Sequence, residues 1–496
     1  MTSRVKKNRE RIEFGDFQTP DSLAREICEF LLFDGARPES MVEPTCGKGG
    51  FIIASIKTFN SCKKFIAADI NREYLEILHE KICPLGPVEV ELKNADFFGV
   101  DWHHIFADLP EPLLIIGNPP WVTNSQIGCV SGVNLPPKSN FQNFRGLDAL
   151  TGKANFDISE WMLIHLLDCV QDKDAVLAML CKTSVARKVI RYAWQNNFRL
   201  AQSAMYIIDA KQHFNISAAA CLLICKTGDV PGTKLCCVYR GLSSDNKIAS
   251  IERHNTGLLA DTEKYRKWEH LDGIEHCKWR SGVKHDCAQV MELSCEGDRF
   301  RNGLGEICEI ETDFLYPLFK SSNVAKNDVS IPKLWALITQ KNIGDDTAII
   351  KKQAPKTWAY LMAHSDLLDS RKSSIYRKRS RFSIFGIGDY AFAPWKVSIS
   401  GLYKKIHFSA VAPYMGKPSM VDDTCYYIPC DSMEEATILA ELLNSDVAKE
   451  FMDSFIFWDS KRPITIDVLR RIDIAALAEE LGVNKVPNLH PSLPFK

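Results

Sequence analysis

The sequence predicts a doubly wound α/β domain with a mostly parallel sheet, followed by a mixed α+β domain. Three observations support this fold class. Short apolar runs alternate with amphipathic helical stretches in the first half of the chain, this alternation stops after residue 226, and clustered aromatic and basic residues with turn signals follow. Apolar strands separated by helices are typical of a parallel sheet covered on both faces. We place the boundary near residue 240, which gives domains 1–240 and 241–496.

The predicted elements of the first domain follow in order. Residues 22–33 have apolar side chains at helical spacing, and Asp21 or Thr19 can cap this helix. Apolar runs predict strands at residues 41–42, 65–68, 88–92, 113–116, 175–180 and 217–225. Amphipathic stretches between them predict helices at residues 50–58, 72–81, 158–170 and 184–196.

The composition is that of an ordinary folded protein. Hydrophobic residues make up 46% of the chain and charged residues 25%, which excludes disordered and collagen-like classes. Lys+Arg 61 against Asp+Glu 62 leaves a net charge of −1, so any nucleic acid must meet a local basic surface. The 17 cysteines are scattered, which indicates a reducing cytoplasm. The longest apolar run, 216–225, is about half of a membrane span, so we expect no membrane contact.

A glycine-rich turn follows the first strand, in the sequence EPTCGKGGF of residues 43–51. Glycines let a backbone approach a ligand closely, and the N-terminus of the following helix offers free N–H groups. The segment is neither a dinucleotide fingerprint nor a phosphate loop. By itself it predicts either a ligand-binding turn or an ordinary tight connection from strand to helix.

Acidic side chains end the next two strands. Asp69 follows the second strand, where a carboxylate can accept both hydroxyls of a ribose. Asp96 and Phe97 follow the third, where the carboxylate can accept from an adenine amino group and the ring can pack on the base. Each acidic residue alone is typical of a solvated strand end. With the glycine turn, and in this order, they predict a nucleoside site.

The fourth strand ends in Asn118, Pro119, Pro120 and Trp121. Two successive prolines end the strand and leave the Pro119 carbonyl free to point into the crevice. The Asn118 side chain adds a second carbonyl, and two converging acceptors suit a planar amino group that must become nucleophilic. Trp121 offers a flat face on which a heterocycle can stack.

These motifs resemble those of S-adenosylmethionine-dependent amino-methyltransferases that act on DNA adenine. EPTCGKGGF is similar to their methionine-binding motif, NPPW to their catalytic motif, and FGDFQTP, residues 14–20, to the segment that folds over the cofactor. The order of the motifs, with a long C-terminal region last, resembles the gamma class found in type II restriction–modification systems. Cys46 and Trp121 depart from the residues that are commonest in the family.

The resemblance implies a Rossmann-like class I methyltransferase domain followed by a target-recognition domain. It implies that S-adenosylmethionine binds to Thr19, Glu43, Pro44, Cys46, Gly47, Asp69, Asp96, Phe97 and Asn118. It further implies that an adenine is flipped out of double-stranded DNA, that residues 118–121 are catalytic, and that Trp121 and Phe214 stack on the two faces of the base. Ordinary core packing is the alternative for Phe214.

Two segments near the catalytic motif extend this prediction. Residues 155–158, NFDI, resemble the family segment that lines the adenine pocket of the cofactor. The long segment between Trp121 and Asn155 has no clear periodicity, and long loops of this kind are often functional. Its Lys138, Arg145 and Lys153 are available for phosphates.

The second domain holds the densest positive cluster, in residues 370–382. We expect its basic residues to contact DNA phosphates, and these are Arg371, Lys372, Arg377, Lys378, Arg379 and Arg381. Lys284 and His285 lie in a segment that resembles one in such methyltransferases, and they are further candidates for DNA contact. We expect no metal site, and we expect any cognate restriction endonuclease to be a separate chain.

Two alternatives remain at this point. NPP-aromatic motifs also serve methyltransferases that act on cytosine N4, on RNA guanine N2 or on a protein glutamine. A non-catalytic specificity subunit could also keep the fold and bind DNA. The basic and aromatic cluster favours a nucleic acid, the Gln18-Thr19-Pro20 motif favours adenine, and the intact Asp69, Asp96 and Asn118 favour an enzyme.

Overall fold

The computed structural model describes residues 17–122, 157–229, 231–254, 257–273, 278–297 and 299–483. The chain divides into two compact units, Met1–Thr262 and Glu263–Lys496. Each unit has its own sheets and its own apolar core. Among the described helices, none has the length and apolar character that crossing a bilayer requires.

Helices and strands alternate through the first unit. In chain order they are α1 (Asp21–Phe33), β1 (Ser40–Glu43), α2 (Gly50–Thr58), β2 (Lys64–Asp69), α3 (Arg72–Ile82), β3 (Val90–Asn94), α4 (Trp102–Ala107), β4 (Leu113–Gly117), α5 (Ile158–Cys169), β5 (Ala175–Lys182), α6 (Thr183–Gln195), β6 (Gln202–Ile208), α7 (Ala210–Phe214), β7 (Ala220–Lys226), β8 (Leu235–Arg240), β9 (Lys247–His254) and β10 (Gly257–Leu259). The α/β class predicted from the sequence is confirmed.

These strands form one sheet in the order β10-β9-β8-β6-β7-β5-β4-β1-β2-β3. β1 pairs in parallel with β2 on one side and with β4 on the other, and β3 and β5 extend the parallel part. β7 is antiparallel to both β5 and β6. The chain reverses its direction of winding between β1 and β4, and ligands of open α/β sheets bind at such a point, outside the carboxyl ends of the strands.

The burial of each strand helps to explain whether the sequence predicts it. All residues of β1 and β4 are buried, as expected for strands covered on both faces. β8 and β9 have only two buried residues each, and in the described chain they follow β7 without intervening helices. These strands and β10 join the first sheet, and the compact first unit extends to Thr262.

The second unit is a mixed α+β structure, as its sequence predicts. The helix α8 (Thr262–Lys267) lies at the division between the units in the sequence. The elements after it are β11 (Arg280–Ser281), α9 (Ala288–Met291), β12 (Glu292–Glu296), β13 (Arg299–Asn302), β14 (Ile307–Cys308), β15 (Leu315–Phe319), α10 (Ser321–Lys326), β16 (Leu334–Leu337), α11 (Ile350–Gln353), α12 (Pro355–Ala363), α13 (Ser365–Asp369), β17 (Trp395–Ser400), β18 (Phe408–Val411), β19 (Met420–Val421), β20 (Cys425–Cys430), α14 (Met433–Asn444), α15 (Asp446–Asp453), α16 (Ile466–Leu469) and α17 (Ile474–Glu480).

Two sheets organise this unit. One has the order β14-β13-β12-β16-β15-β19, and the other the order β11-β20-β17-β18. All strand pairs in both sheets are antiparallel except β15 with β19. The larger core packs strands β12, β15 and β16 against the helices α11 to α13 and the segment 382–391.

A buried group of charged side chains joins the strands of the larger sheet. Glu292 on β12 accepts from Lys320 Nζ at 2.7 Å and lies 3.1 Å from His285 Nε2. Asp422 lies 3.4 Å from the same lysine nitrogen. Burial acts to raise the pKa of Glu292, but hydrogen bonds from His285 and Lys320 outweigh it and hold that pKa below its ordinary value.

We predict that Glu292→Gln destabilises the chain at neutral pH by about 1–3 kcal/mol, because it removes the buried carboxylate that accepts from Lys320 Nζ and His285 Nε2. A lowered carboxyl pKa gives stability that is present above the unfolded value, about 4.3, and is lost as the pH falls through the folded value. The stability difference between wild type and variant should therefore shrink on acidification below about pH 5. Urea unfolding of the full chain at several pH values measures this. Glu309→Gln, at an exposed position, is the matched control, and a difference that does not change with pH would contradict the prediction.

Candidate active site

A cleft opens at the carboxyl ends of β1 to β4. Its walls include all nine residues that the sequence assigns to the cofactor, namely Thr19, Glu43, Pro44, Cys46, Gly47, Asp69, Asp96, Phe97 and Asn118. Eleven further residues complete the lining, and they are Phe17, Gln18, Thr45, Gly50, Ile70, Tyr74, Ala95, Phe98, Pro120, Ile158 and Met162. The direction of the parallel strands therefore collects side chains from distant parts of the sequence in one cleft.

The turn after β1 closes around the end of β2. Gly47 has a φ of +49° and Gly49 a φ of +79°, which are left-handed conformations that favour glycine. The Gly47 N–H donates to Asp69 Oδ2 at 2.7 Å, and the Lys48 N–H donates to Gln18 Oε1 at 3.0 Å. The Gln18 side chain also fills the space where a Cβ on Gly47 would lie, at 2.6 Å. A larger residue at position 47 would therefore displace Gln18.

The Asp69 carboxylate accepts hydrogen bonds from two backbone N–H groups. Its Oδ2 accepts from Gly47, and its Oδ1 accepts from the Asn71 N–H at 2.8 Å. These bonds fix the carboxylate in the cleft wall, as a rigid binding group requires.

Asp96 and Phe97 begin a 3₁₀ turn, Phe97–Gly99, after β3. Asp96 is exposed, and its Oδ1 accepts from the Phe98 N–H at 3.1 Å. The Phe97 ring is 5% exposed and packs on Trp102 with a centroid distance of 5.2 Å. Trp161 of α5 and Phe98 contact each other at 5.1 Å beside it. One acceptor thus stands next to a group of aromatic rings.

Asn118 directly follows β4, and its side-chain nitrogen and oxygen differ in their hydrogen bonding. Its Nδ2 donates to the Phe17 carbonyl at 2.8 Å. Its Oδ1 is buried and has no hydrogen-bond partner among the described residues, and the same is true of Thr45 Oγ1 in the same cleft. A buried acceptor without a partner is costly in a folded protein, so these two atoms point to a ligand that donates to them.

The rings of Trp121 and Phe214 are in contact, but their planes are not parallel. Their centroids are 5.3 Å apart and their planes are inclined by 63°, so the edge of one ring contacts the other. The Trp121 Nε1 donates to the Leu180 carbonyl at 3.3 Å, and both rings belong to the apolar core. This contact leaves no space for a base between the two rings. Phe17, which the sequence analysis does not single out, is the other aromatic ring near Trp121 in the described chain, at 6.2 Å and 37°.

Lys182 is a second residue that the sequence analysis misses. Its Nζ donates to the Trp121 carbonyl at 3.0 Å and to Asp157 Oδ2 at 2.5 Å. Asp157 Oδ1 accepts from Ser159 Oγ at 2.6 Å, and the Ile158 N–H donates to the Val122 carbonyl at 3.0 Å. These bonds fix the C-terminal end of the NPPW motif. A lysine that ends an apolar strand at the same sheet edge was the available signal in the sequence.

The charge of the cleft is negative. Glu43, Asp69 and Asp96 line it, whereas its described lining includes no lysine, arginine or histidine. Glu43 is 3% exposed, and its Oε2 accepts from the Ile52 N–H at 3.2 Å. Burial, together with the charge of Asp69, raises the pKa of Glu43 well above its ordinary value. Such a cleft suits a ligand that carries positive charge and hydroxyl groups.

The eight basic residues assigned to DNA divide into two groups. Four have intramolecular contacts. Lys284 pairs with Asp286 and Asp423, His285 with Glu292, and Arg381 with Asp369, while Arg371 donates to the Leu368, Ser383, His285 and Arg381 carbonyls. The other four are exposed, and they are Lys372, Arg377, Lys378 and Arg379. We call these four the exposed basic cluster.

Several expected residues fall outside the described chain. Lys138, Arg145 and Lys153 of the long segment, and Asn155 and Phe156 of the NFDI motif, are among them. Asp157 and Ile158 of that motif are described, and Ile158 lines the cleft. Within the described ranges, no group of three or more His, Cys, Asp or Glu side chains is arranged to hold a metal ion.

Comparison with known proteins places this geometry in context. The chain is 46% identical over 470 residues to "Type II methyltransferase M.NspV" from Nostoc sp. (strain ATCC 29411 / PCC 7524), a match that covers 95% of this chain and 98% of that protein. A structure of the "Type IIL restriction-modification enzyme MmeI in complex with DNA" matches with a TM-score of 0.53 at 12% identity, over 94% of this chain and 67% of that one. No protein-family model matches.

We predict that Glu43→Gln stabilises the chain at neutral and alkaline pH, because it removes a buried charge next to Asp69. A carboxyl whose folded pKa is raised gives stability that is complete below the unfolded value and is lost as the pH rises through the folded value. The advantage of the variant should therefore grow with pH, by up to about 1.4 kcal/mol per pH unit between the two pKa values.

Unfolding of the full chain between pH 5 and pH 8 measures this difference. Glutamine keeps an oxygen that can accept from Ile52, so the variant preserves the hydrogen bond. Glu89→Gln, at an exposed position, is the control and should show no growing advantage. An advantage of Glu43→Gln that is constant over this range would disprove the effect of the buried charge.

Proposed function

This chain belongs to the family of type II methyltransferases, and from that membership we propose that it transfers the methyl group of S-adenosylmethionine to N6 of adenine in double-stranded DNA. The observation that carries the proposal is the buried, unpartnered Oδ1 of Asn118 in the acidic cleft. This oxygen and the adjacent Pro119 carbonyl are two acceptors for one amino group. The motif order further supports the gamma class.

The residues of the cleft fit S-adenosylmethionine. Asp69 is suited to the ribose hydroxyls, Asp96 and Phe97 to the adenine ring, and Glu43 with residues 44–47 and Thr19 to the methionine part. The raised pKa of Glu43 fits a site that gains a positive charge when its ligand binds. Thr45 Oγ1, the second orphaned atom, is available as a further acceptor. When bound, S-adenosylmethionine supplies an electrophilic methyl group on a positively charged sulfur.

The protein's own groups prepare the target nitrogen. The Phe17 carbonyl holds Asn118 Nδ2, which leaves Oδ1 facing the place where the amino group arrives. Asn118 Oδ1 and the Pro119 carbonyl each accept from one N–H of the adenine amino group. This pair of hydrogen bonds draws the amino nitrogen out of conjugation with the ring and exposes its lone pair. Lys182 keeps the motif in place through the Trp121 carbonyl. Catalysis on this view comes from orientation and preorganised dipoles.

The target adenine must leave the duplex to reach this site, at a cost of a few kcal/mol. We propose that Trp121 and Phe214 stack on it, as the sequence indicates. Because the two rings contact each other at 5.3 Å, the arriving base must separate them. Burial of both rings against the base compensates part of the unstacking cost.

The exposed basic cluster is proposed to contact the phosphates of the duplex. Lys372, Arg377, Lys378 and Arg379 are exposed, and Lys378 has a left-handed φ of +63° that turns the chain sharply at this point. We assign DNA contact to these four residues and a structural role to Lys284, His285, Arg371 and Arg381. In a restriction–modification system the cognate endonuclease would be a separate chain, and both would act in the cytoplasm.

We predict that Asn118→Ala lowers the rate of methyl transfer at saturating S-adenosylmethionine by about 100-fold or more, as the loss of a preorganised dipole does in other active sites. The assay measures transfer from tritiated S-adenosylmethionine to duplex DNA, RNA and protein, and then identifies the methylated nucleoside. We expect N6-methyladenine, from DNA only. Asn246→Ala, at an exposed position, is the control. N4-methylcytosine, or transfer to RNA or protein, would refute the assignment to adenine.

We also predict that replacing Arg377, Lys378 and Arg379 by glutamine weakens DNA binding and reduces the slope of log affinity against log salt by roughly 2–3, because each lost phosphate contact removes about 0.9. Binding to a duplex between 50 and 200 mM salt measures the slope. Arg371→Gln is the matched control from the same stretch. It should lower the unfolding midpoint and leave the slope unchanged, since Arg371 donates to four backbone carbonyls. Equal slopes for the triple variant and wild type would exclude this cluster.

A further inference from the structure

A turn in the second unit lies beside Arg379, one residue of the exposed basic cluster. Thr339 Oγ1 donates to the Phe382 carbonyl at 2.7 Å, and Gln340 Oε1 accepts from the Ile384 N–H at 3.2 Å. A Cβ on Gly344 would lie 4.0 Å from the Arg379 guanidinium. Residues 340–346, which we call the recognition turn, therefore run alongside the segment 379–384.

The recognition turn is rigid because its polar side chains hold its own backbone. Asp345 Oδ2 accepts from the N–H groups of Lys341 at 3.2 Å and of Asn342 at 2.8 Å. Gln340 Nε2 donates to the Asn342 carbonyl at 2.8 Å, and Asp346 Oδ1 accepts from the Ala348 N–H at 3.0 Å. Both aspartates are thus used to shape the turn, and neither is part of an ion pair in the described chain.

The side chains at the apex of this turn face solvent. Asn342 is exposed, and Ile343 is 50% exposed. An exposed isoleucine alone is ordinary in a soluble protein. Here it stands next to an asparagine on a hydrogen-bonded turn that also approaches the Arg379 guanidinium, so this surface combines apolar, amide and cationic groups.

We propose that the recognition turn enters the major groove of duplex DNA and reads the bases, while the exposed basic cluster contacts the flanking phosphates. This inference rests on the proposed function and deepens it. An asparagine amide can pair with the N6 and N7 edge of adenine, and an aliphatic side chain can contact the methyl group of thymine. Phosphate contacts fix the position of a protein on DNA, and base contacts specify the sequence. The two neighbouring surfaces therefore divide these tasks.

The experiment compares methylation patterns. The sequence that wild type methylates is first identified by modification-sensitive sequencing of DNA from cells that express it. Asn342→Ala and Ile343→Ala are then tested on duplexes that carry this sequence or a single-base change in it. Each variant should lower the preference for the intact sequence by about tenfold or more at one or two base positions. Ile307→Ala, which removes an isoleucine of equal exposure on β14, is the matched control and should keep the wild-type preference.

A second readout separates base reading from general binding. Asn342 and Ile343 carry no charge, so both variants should keep the wild-type salt slope, whereas Lys378→Gln should reduce the slope by about 0.9 and keep the sequence preference. Unchanged unfolding midpoints show that the variants fold. Full sequence preference in both Asn342→Ala and Ile343→Ala overturns the recognition turn and leaves the proposed function intact. If wild type methylates no DNA, the proposed function fails, and the recognition turn fails with it.

Discussion

The parallel direction of β1 to β4 determines where the functional groups of the first unit lie. Each of these strands ends at the same edge of the sheet, and each is followed by a residue that lines the cleft. The reversal of winding between β1 and β4 separates the turns after these two strands and leaves a crevice between them. Asp69 then links two of the turns, because its carboxylate accepts from Gly47 and Asn71. If one strand were reversed, its terminal residue would lie at the opposite edge.

Several groups that line the cleft lower the stability of the folded chain. Glu43 is buried beside another carboxylate, and Asn118 Oδ1 and Thr45 Oγ1 are buried without partners among the described residues. Each feature destabilises the free chain, and each is relieved by a ligand that carries positive charge or donates hydrogen bonds. The surrounding structure compensates, since β1 and β4 are fully buried and the segment 17–19 is fixed from both sides by Gln18 and Asn118. In the proposed function, binding of S-adenosylmethionine and of the target amino group would relieve these destabilising features.

Local patterns predicted the features that depend on few neighbours. The apolar strands β1, β2 and β4, the glycine turn at Gly47 and the acidic strand ends are visible because period, composition and turn chemistry are local properties. Lys182 was not found, because its partners, the Trp121 carbonyl and Asp157, come from two other parts of the chain. β8 and β9 were missed for a different reason, since in the described chain they follow β7 without intervening helices and so end the alternation of strand and helix.

The net charge of −1 places a further constraint on the proposed role. Of the eight basic residues assigned to DNA, four contact carboxylates or backbone carbonyls of the chain itself. The number of basic residues in the sequence therefore overstates how many can contact phosphates. Phosphate contacts from the exposed basic cluster alone would give a salt slope of only about 3.6, which is small beside that of strongly basic DNA-binding proteins. Weak electrostatic attraction to DNA of any sequence limits how long the protein stays bound at sites other than its target sequence. If the proposed function holds, selectivity must come mainly from uncharged contacts at base edges in the groove and around a flipped base in the cleft, because these contacts depend on which bases are present.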